Sequence, residues 1–415
     1  MLPRRRQLII VIVVALLAAA ALKPYAHNPY IELAGETLFV GLMLVFAFNV
    51  AGAWQQDIAP RWAVQLIAML LAGMLSPFLV QMLTFGGDVP AFLSSRGHVR
   101  GYVLEELGDQ PSGVFIVDET GFIKKGVRSA GVARQYTGTS GKIDNCQIGV
   151  FLAYASMHGR ALIDRELYLP TAWTEDRARC AAAGIPDEIG FATKPQLGMA
   201  MLERVHAAGR LRGWVTADEV YGQNPNFRSW LAAHQVPYVV ATRTDDMLTS
   251  PDGHRRQAKT LAVLAGYSDG AAGWERRAIG PGAHGLREYD WLAVVLDPAG
   301  LPTGWGHWLL VRRQTEPSPG KTHRELAFYR CAGPTATPIR ELIRVAGARW
   351  SIEECFQMAK NEAGLDHYQV RDYRAWYAHI TLSMLAAAYL AATRTRSDPA
   401  PPPGEKGDLR TMRTA

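Results

Sequence analysis

Residues 113–121 read Gly113-Val-Phe-Ile-Val-Asp118-Glu-Thr-Gly121, and this stretch decides the fold. Four apolar residues in a row, three of them β-branched, are bounded by glycine and by Asp-Glu-Thr-Gly. They specify a buried strand that ends on Asp118. Downstream, residues 147–156 and 162–169 are two further strands, the first reached through a Gly- and Lys-rich connection. Short links make the three an antiparallel meander. The pattern turns helical over 175–183 and 195–208, where Leu197, Met201, Leu202 and Val205 recur at helical spacing. Trp214-Val-Thr-Ala217 is then a strand closing on Asp218, followed by a helix at 226–234 and a strand at 236–242. The chain is α/β, in the order β-β-β-α-β-α-β.

That order is similar to an RNase H-like domain, in which the first and fourth strands lie side by side. Asp118 and Asp218 would then meet although about a hundred residues separate them. A third carboxylate belongs on a helix. Residues 340–362 contain no proline, and Leu342, Val345, Ile352, Phe356 and Ala359 form an apolar stripe, which predicts one continuous helix. Arg349, Glu353 and Lys360 stand at i, i+4 and i+11 and share one face of it. Glu354 points about 100° away and is expected to support the ligands from behind. Asp118, Asp218 and Glu353 thus supply hard oxygen ligands from separate elements, as two-Mg²⁺ phosphodiester chemistry requires. The plainer alternative for each Asp is a turn or helix N-cap. Lys124 and Lys125 read as phosphate contacts or as a solvated basic turn, and Asp164 and Glu166 as groups that face solvent or stand beside the ligands.

Arg349, three residues, Glu353, six residues and Lys360 match the Arg-Glu-Lys part of the Tyr-Arg-Glu-Lys signature, and the chain resembles bacterial insertion-sequence transposases with a DDE nuclease domain. The resemblance covers roughly residues 98 to 395, with the three acidic contexts in the right order. It implies catalytic and metal-binding roles for Asp118, Asp218 and Glu353 with two Mg²⁺ ions (Mn²⁺ substituting). It implies DNA contacts by Arg349 and Lys360, double-stranded DNA as partner, and a homodimer as one assembly. The signature tyrosine would fall at 346, where this chain has Ala346, so its contact is either absent or supplied from elsewhere, with Tyr368 and Tyr373 as candidates. Residues 245–331 form a β-rich insertion like that of some cut-and-paste transposases. There Trp305 and Trp308 are candidates for stacking on a flipped base, against the plainer reading as sheet-core aromatics.

The first 97 residues differ in kind. Residues 7–22, 37–54 and 62–85 are apolar and essentially uncharged, and about 20 such residues span a bilayer. They predict an all-α segment of three membrane helices, resembling the multi-pass front of a sensor kinase. A signal peptide and a buried helical hairpin are the alternatives. Arg4-Arg5-Arg6 would hold the N-terminus in the cytoplasm. Three spans would then put the remainder across the inner membrane from chromosomal DNA, whereas the parent transposase is cytoplasmic. A chimeric reading frame joined near residue 98 accounts for the mismatch. The rival functions are an inert membrane-anchored remnant of a sensor-like protein, and a nuclease that performs no strand transfer.

The whole chain has 44 Lys+Arg against 38 Asp+Glu, a positive balance that permits DNA binding without requiring it. The four cysteines, Cys146, Cys180, Cys331 and Cys355, show no paired spacing, which argues against a zinc site or a disulfide framework. No phosphate-loop or dinucleotide fingerprint occurs. Residues 379–392 form an apolar helix suited to pack on the nuclease domain, and 396–415 read as a disordered tail.

Overall fold

A computed structural model describes residues 97–397, apart from 109–111, 269–272, 283–284 and 319. The three apolar stretches of the N-terminal segment and nearly all of the tail lie outside the described residues. The chain divides into units of residues 1–95 and 96–415, and the fold below is that of the second.

A helix, α1 (His98–Glu106), precedes β1 (Val114–Ile123). β1 is antiparallel to β3 (Lys142–Ser156), whose first residues pair with β2 (Ala133–Thr137) and whose remainder pairs with β4 (Gly159–Tyr168). β5 (Trp214–Ala217) lies parallel against β1 with Val117 opposite Ala217, and β6 (Tyr238–Thr242) lies parallel against β5. The first and fourth strands of the expected order are therefore neighbours, and Asp118 and Asp218 follow paired residues.

Two expectations need correction here. β1 does not end on Asp118 but runs to Ile123, because β3 continues to offer partners from Phe151 down to Cys146. β2 was not predicted, since Ala-Arg-Gln-Tyr-Thr carries no apolar alternation; it is an edge strand held by its ladder with β3.

The helices α2 (Thr171–Thr174), α3 (Arg177–Ala182), α4 (Lys194–Ala207), α5 (Glu219–Gly222) and α6 (Pro225–Ala233) cover the crossovers. α4 starts where sequence chemistry dictates: Thr193 and Gln196 form a reciprocal capping box, and Pro195 occupies the first turn. The insertion adds β7 (Met247–Thr249), β8 (Arg255–Gln257), α7 (Ala258–Ser268), β9 (Glu275–Gly282), β10 (Gly285–Val295), β11 (Trp305–Gln314) and β12 (Leu326–Pro334). It is not a separate layer. β12 pairs antiparallel with β6, so the main sheet runs β2-β3-β1-β5-β6-β12-β11-β10-β9, with β4 on β3.

The single helix expected over 340–362 is two, α8 (Ile339–Ala348) and α9 (Trp350–Ala363), which meet at Arg349. A Cβ at Gly347 would lie 2.9 Å from Ile279, so this glycine lets α8 seat closely against β9. The last helix, α10 (Tyr373–Ser397), overruns the expected start of the tail by two residues. It is also long and apolar enough to cross a membrane, yet Trp376, Tyr377, Ile380, Met384 and Ala387 are buried in the domain core. α10 packs on the domain, as the apolar run at 379–392 predicted.

Asp164 and Glu166 do not face solvent. Asp164 is fully buried and accepts from Arg100 at 3.2 Å and Arg204 Nε at 2.9 Å, while Glu166 meets Arg204 at 2.9 Å and the Tyr377 hydroxyl at 2.7 Å. They tie β4 to α1, α4 and α10.

Candidate metal centre

Each carboxylate of the centre is placed by ordinary backbone chemistry. Asp118 lies within β1, where its Oδ1 accepts from the Glu119 N–H at 2.8 Å. Asp218 follows β5 and caps α5, its Oδ1 accepting from the N–H groups of Val220 at 2.9 Å and Tyr221 at 3.4 Å. The N-cap alternative for Asp218 is thus realised, and it leaves the second carboxylate oxygen free of backbone. Asp118, Glu119 and Asp218 each present a carboxylate oxygen within 4.8 Å of the others.

Glu119 was missed. Alternation along a strand sends its side chain to the face opposite Asp118. It does reach toward α4 and α5, where Lys194 Nζ lies 2.6 Å from Oε1 and the Tyr221 hydroxyl donates to Oε2 at 2.7 Å. The acidic pair Asp118-Glu119 was the only signal in the sequence that could have flagged it.

Glu353 shares the cleft but stands outside that trio. Arg349 lies between, 3.6 Å from Asp118 Oδ2 and 3.5 Å from Glu353 Oε1. The cleft, about 550 Å³, is lined by Asp118, Glu119, Asp218, Arg349, Glu353 and Lys360, together with residues 136–139. Arg349, Glu353 and Lys360 do share one face of α9 and its N-cap.

Burial raises the Asp118 carboxyl to about 7, reinforced by the charges of Asp218 and Glu119 and opposed by Arg349. Burial, with Glu119, raises Asp218 to about 6, and burial raises Glu353 as well. Three acids crowded against one guanidinium repel one another, and all their donor atoms are hard oxygens. The set fits a divalent cation, which would relieve that repulsion.

The remaining candidates fall in different places. Lys360 donates to Thr120 Oγ1 at 2.9 Å, and burial lowers its pKa. Lys124 donates to the Tyr368 carbonyl at 3.0 Å, sits 3.5 Å above the Tyr368 ring, and is pushed down to about 8 by burial. Lys124 and Lys125 line a different cleft with Arg128 and Arg371, beyond the end of β1. Glu354 does not support the acids: it pairs with Arg160 of β4 at 2.6 Å, on the other side of α9. Trp305 and Trp308 lie on β11, four strands from β1, half-buried and packed against the main core. Ala346, Tyr368 and Tyr373 are buried, and both tyrosine hydroxyls are occupied within the core, by Gln147 and Tyr377. Neither tyrosine replaces the signature contact.

The chain is similar in sequence to known proteins. Residues 94–291 match the family model of a DDE superfamily endonuclease, and residues 193–390 match that of a transposase DDE domain. A probable transposase for insertion sequence element IS701 from Microchaete diplosiphon is 28% identical over 276 residues, which is 65% of this chain and 63% of that protein. The chain therefore spans less than two thirds of the length of the curated relative it matches. Between them the two models match residues 94–390, and what the chain is similar to there, DDE endonucleases and transposases, is an enzyme class.

Proposed function

We propose that residues 98–395 form the catalytic domain of a DNA transposase with an RNase H-like core, cutting and rejoining phosphodiesters with two Mg²⁺ ions held by Asp118, Asp218 and Glu353. The observation that carries this reading is the cluster of Asp118, Glu119 and Asp218 within 4.8 Å in a cleft that Glu353 also lines. The parallel pairing of β1 with β5 and β6, flanked by antiparallel β3, supports the RNase H-like core.

When bound, the ions supply an activated water or 3′-hydroxyl and stabilisation of the leaving oxygen. The protein's own residues do the rest. Lys194 and Tyr221 fix Glu119, the backbone of α5 fixes Asp218, and Arg349 offsets Asp118 and Glu353. Arg349 and Lys360, with Lys124 and Lys125 farther along, meet backbone phosphates of double-stranded DNA, and a homodimer brings two ends together. Strand transfer uses the same groups with a different nucleophile.

The N-terminal apolar stretches anchor the full chain in the inner membrane, away from chromosomal DNA, so the fused chain is inactive in cells. Nicking of supercoiled plasmid by purified full chain in Mg²⁺ or Mn²⁺ tests the chemistry. Loss in Asp118→Asn, Asp218→Asn or Glu353→Gln, with folding retained, is the expected result. Retained cleavage in any of these removes that residue from the triad. Joined products separate a transposase from a simple nuclease, and no cleavage under any condition favours the inert remnant. A reporter fused after Ala415 that is active in the cytosol, together with excision of a marked element, overturns the membrane placement.

A further inference from the structure

The β2–β3 hairpin presents to water what cross-strand pairs usually bury. Tyr136 is 63% exposed and Ile143, opposite it in the ladder, is 59% exposed. An aromatic paired with a β-branched residue is a stabilising sheet contact, and here the pair leaves an aromatic face open to solvent. The hairpin is also held in place. Thr139 Oγ1 donates to the Gly121 carbonyl at 3.0 Å, and Thr137 is buried over Gly121, where any Cβ would collide with its Oγ1. Gly121 is thus the residue that lets the turn fold onto β1, three positions beyond Asp118.

Tyr136, Thr137 and Thr139 line the same cleft as Asp118, Asp218, Glu353 and Lys360. A polymer lying over the carboxylates comes close to them. The aromatics named from sequence are elsewhere, since Trp305 and Trp308 are four strands away and Tyr368 and Tyr373 are buried.

We propose that Tyr136 is a positioning residue for nucleic acid: its ring, backed by Ile143, stacks on a base close to the phosphate held at the carboxylates. Tyr136 lines the same cleft as the carboxylates, so the stacked base neighbours the reacting phosphate. Every base offers a π face, so the contact tolerates sequence and contributes on the order of tenfold in affinity. The inference rests on the phosphodiester-cleaving role proposed above and adds the group that sets the strand's register in the cleft.

The test uses full-length protein carrying Asp118→Asn, bound to duplex oligonucleotides with 5-iodouracil at successive positions, irradiated and mapped by mass spectrometry. A cross-link on Tyr136 is expected. In the native background Tyr136→Ala is expected to weaken oligonucleotide binding about tenfold and slow plasmid nicking, with Tyr136→Phe and Tyr136→Trp restoring both. The side chain is exposed, so these variants should melt like the parent. Cross-links elsewhere, with Tyr136→Ala binding and nicking as the parent does, overturn the proposal. So does a Tyr136→Ala protein that changes oligomeric state while its DNA binding stays the same, because the face then belongs to a second copy. If the parent protein neither binds nor cuts DNA, the phosphodiester reading itself has failed, and this inference falls with it.

Discussion

Two groups of acids in the same domain are treated in opposite ways. On β4, Asp164 and Glu166 meet Arg100, Arg204 and Tyr377 at hydrogen-bonding distance, so burial costs them little. On β1 and just after β5, Glu119 has Lys194 and Tyr221, but Asp118 and Asp218 crowd against it and each other with Arg349 as the nearby cation, and burial with mutual repulsion lifts Asp118 to about 7 and Asp218 to about 6. A fold that can satisfy carboxylates so fully on one strand leaves them short of positive charge two strands away. The difference teaches that the first group exists to join helices to the sheet, while the second is left unbalanced for a cation that arrives with function.

The strongest way to break that contrast is to neutralise one acid in each group. Asp118→Asn and Asp218→Asn should abolish nicking while leaving the melting temperature unchanged or higher, because each removes a repelled charge. Asp164→Asn should instead lower stability by about 3–5 kcal/mol, since Arg100 and Arg204 lose their buried partner. Plasmid nicking and thermal melting on the same protein samples read both arms. An Asp164→Asn protein as stable as the parent would dissolve the comparison.

Next in size is the response to pH and metal. Asp118 and Asp218 have folded pKa values above the roughly 3.9 of an unfolded Asp. Their contribution is therefore fully present below about pH 4 and is lost as pH rises through 6 and 7. In chelator, calorimetric melting should fall over that window, more than in Asp118→Asn. Mn²⁺ or Mg²⁺ should restore it, with the largest gain at the high end. A metal response that is flat from pH 5 to 8 would mean that the acids are not the ligands.

These contrasts also show how far the residues speak for themselves. The strand at 114–117 and the strand Trp214–Ala217 were legible because runs of β-branched and aromatic residues bounded by Gly and Asp leave little choice, and their pairing because the element order resembles an RNase H-like domain. The α9 face was legible because spacing alone places Arg349, Glu353 and Lys360 together. Glu119 was not, because alternation along a strand says which face a side chain leaves from and not how far its carboxylate reaches. Asp164 and Glu166 looked exposed because their partners lie far away in sequence, on α1, α4 and α10. β2 depends on tertiary packing, through the β3 ladder.

A smaller effect separates cations that neutralise acids from cations that meet DNA. Arg349→Ala and Lys360→Ala should each lower the salt slope of DNA binding by about 1, equally on all sequences, if each meets one phosphate. Arg349 already touches Asp118 and Glu353, so its slope should fall only when metal is present to take over those acids. Binding titrations over a salt series, with and without Mg²⁺, decide it. Equal slopes for parent and both variants would confine the two side chains to internal pairing.

The smallest effect is expected at Glu354, the acid next to the ligand helix face. Its partner Arg160 is 51% exposed and Glu354 itself 42% exposed, so the 2.6 Å pair is solvent-screened and contributes about 0–1 kcal/mol. Glu354→Gln should therefore leave nicking unchanged and shift melting by a degree or two at most. The double variant with Arg160→Ala should cost no more than Arg160→Ala alone, which a melting cycle of the four proteins measures. A large loss of nicking in Glu354→Gln, with melting intact, would place this carboxylate in the cleft after all. It would also show that α9 turns on binding metal or DNA, moving its charged face by about 100°.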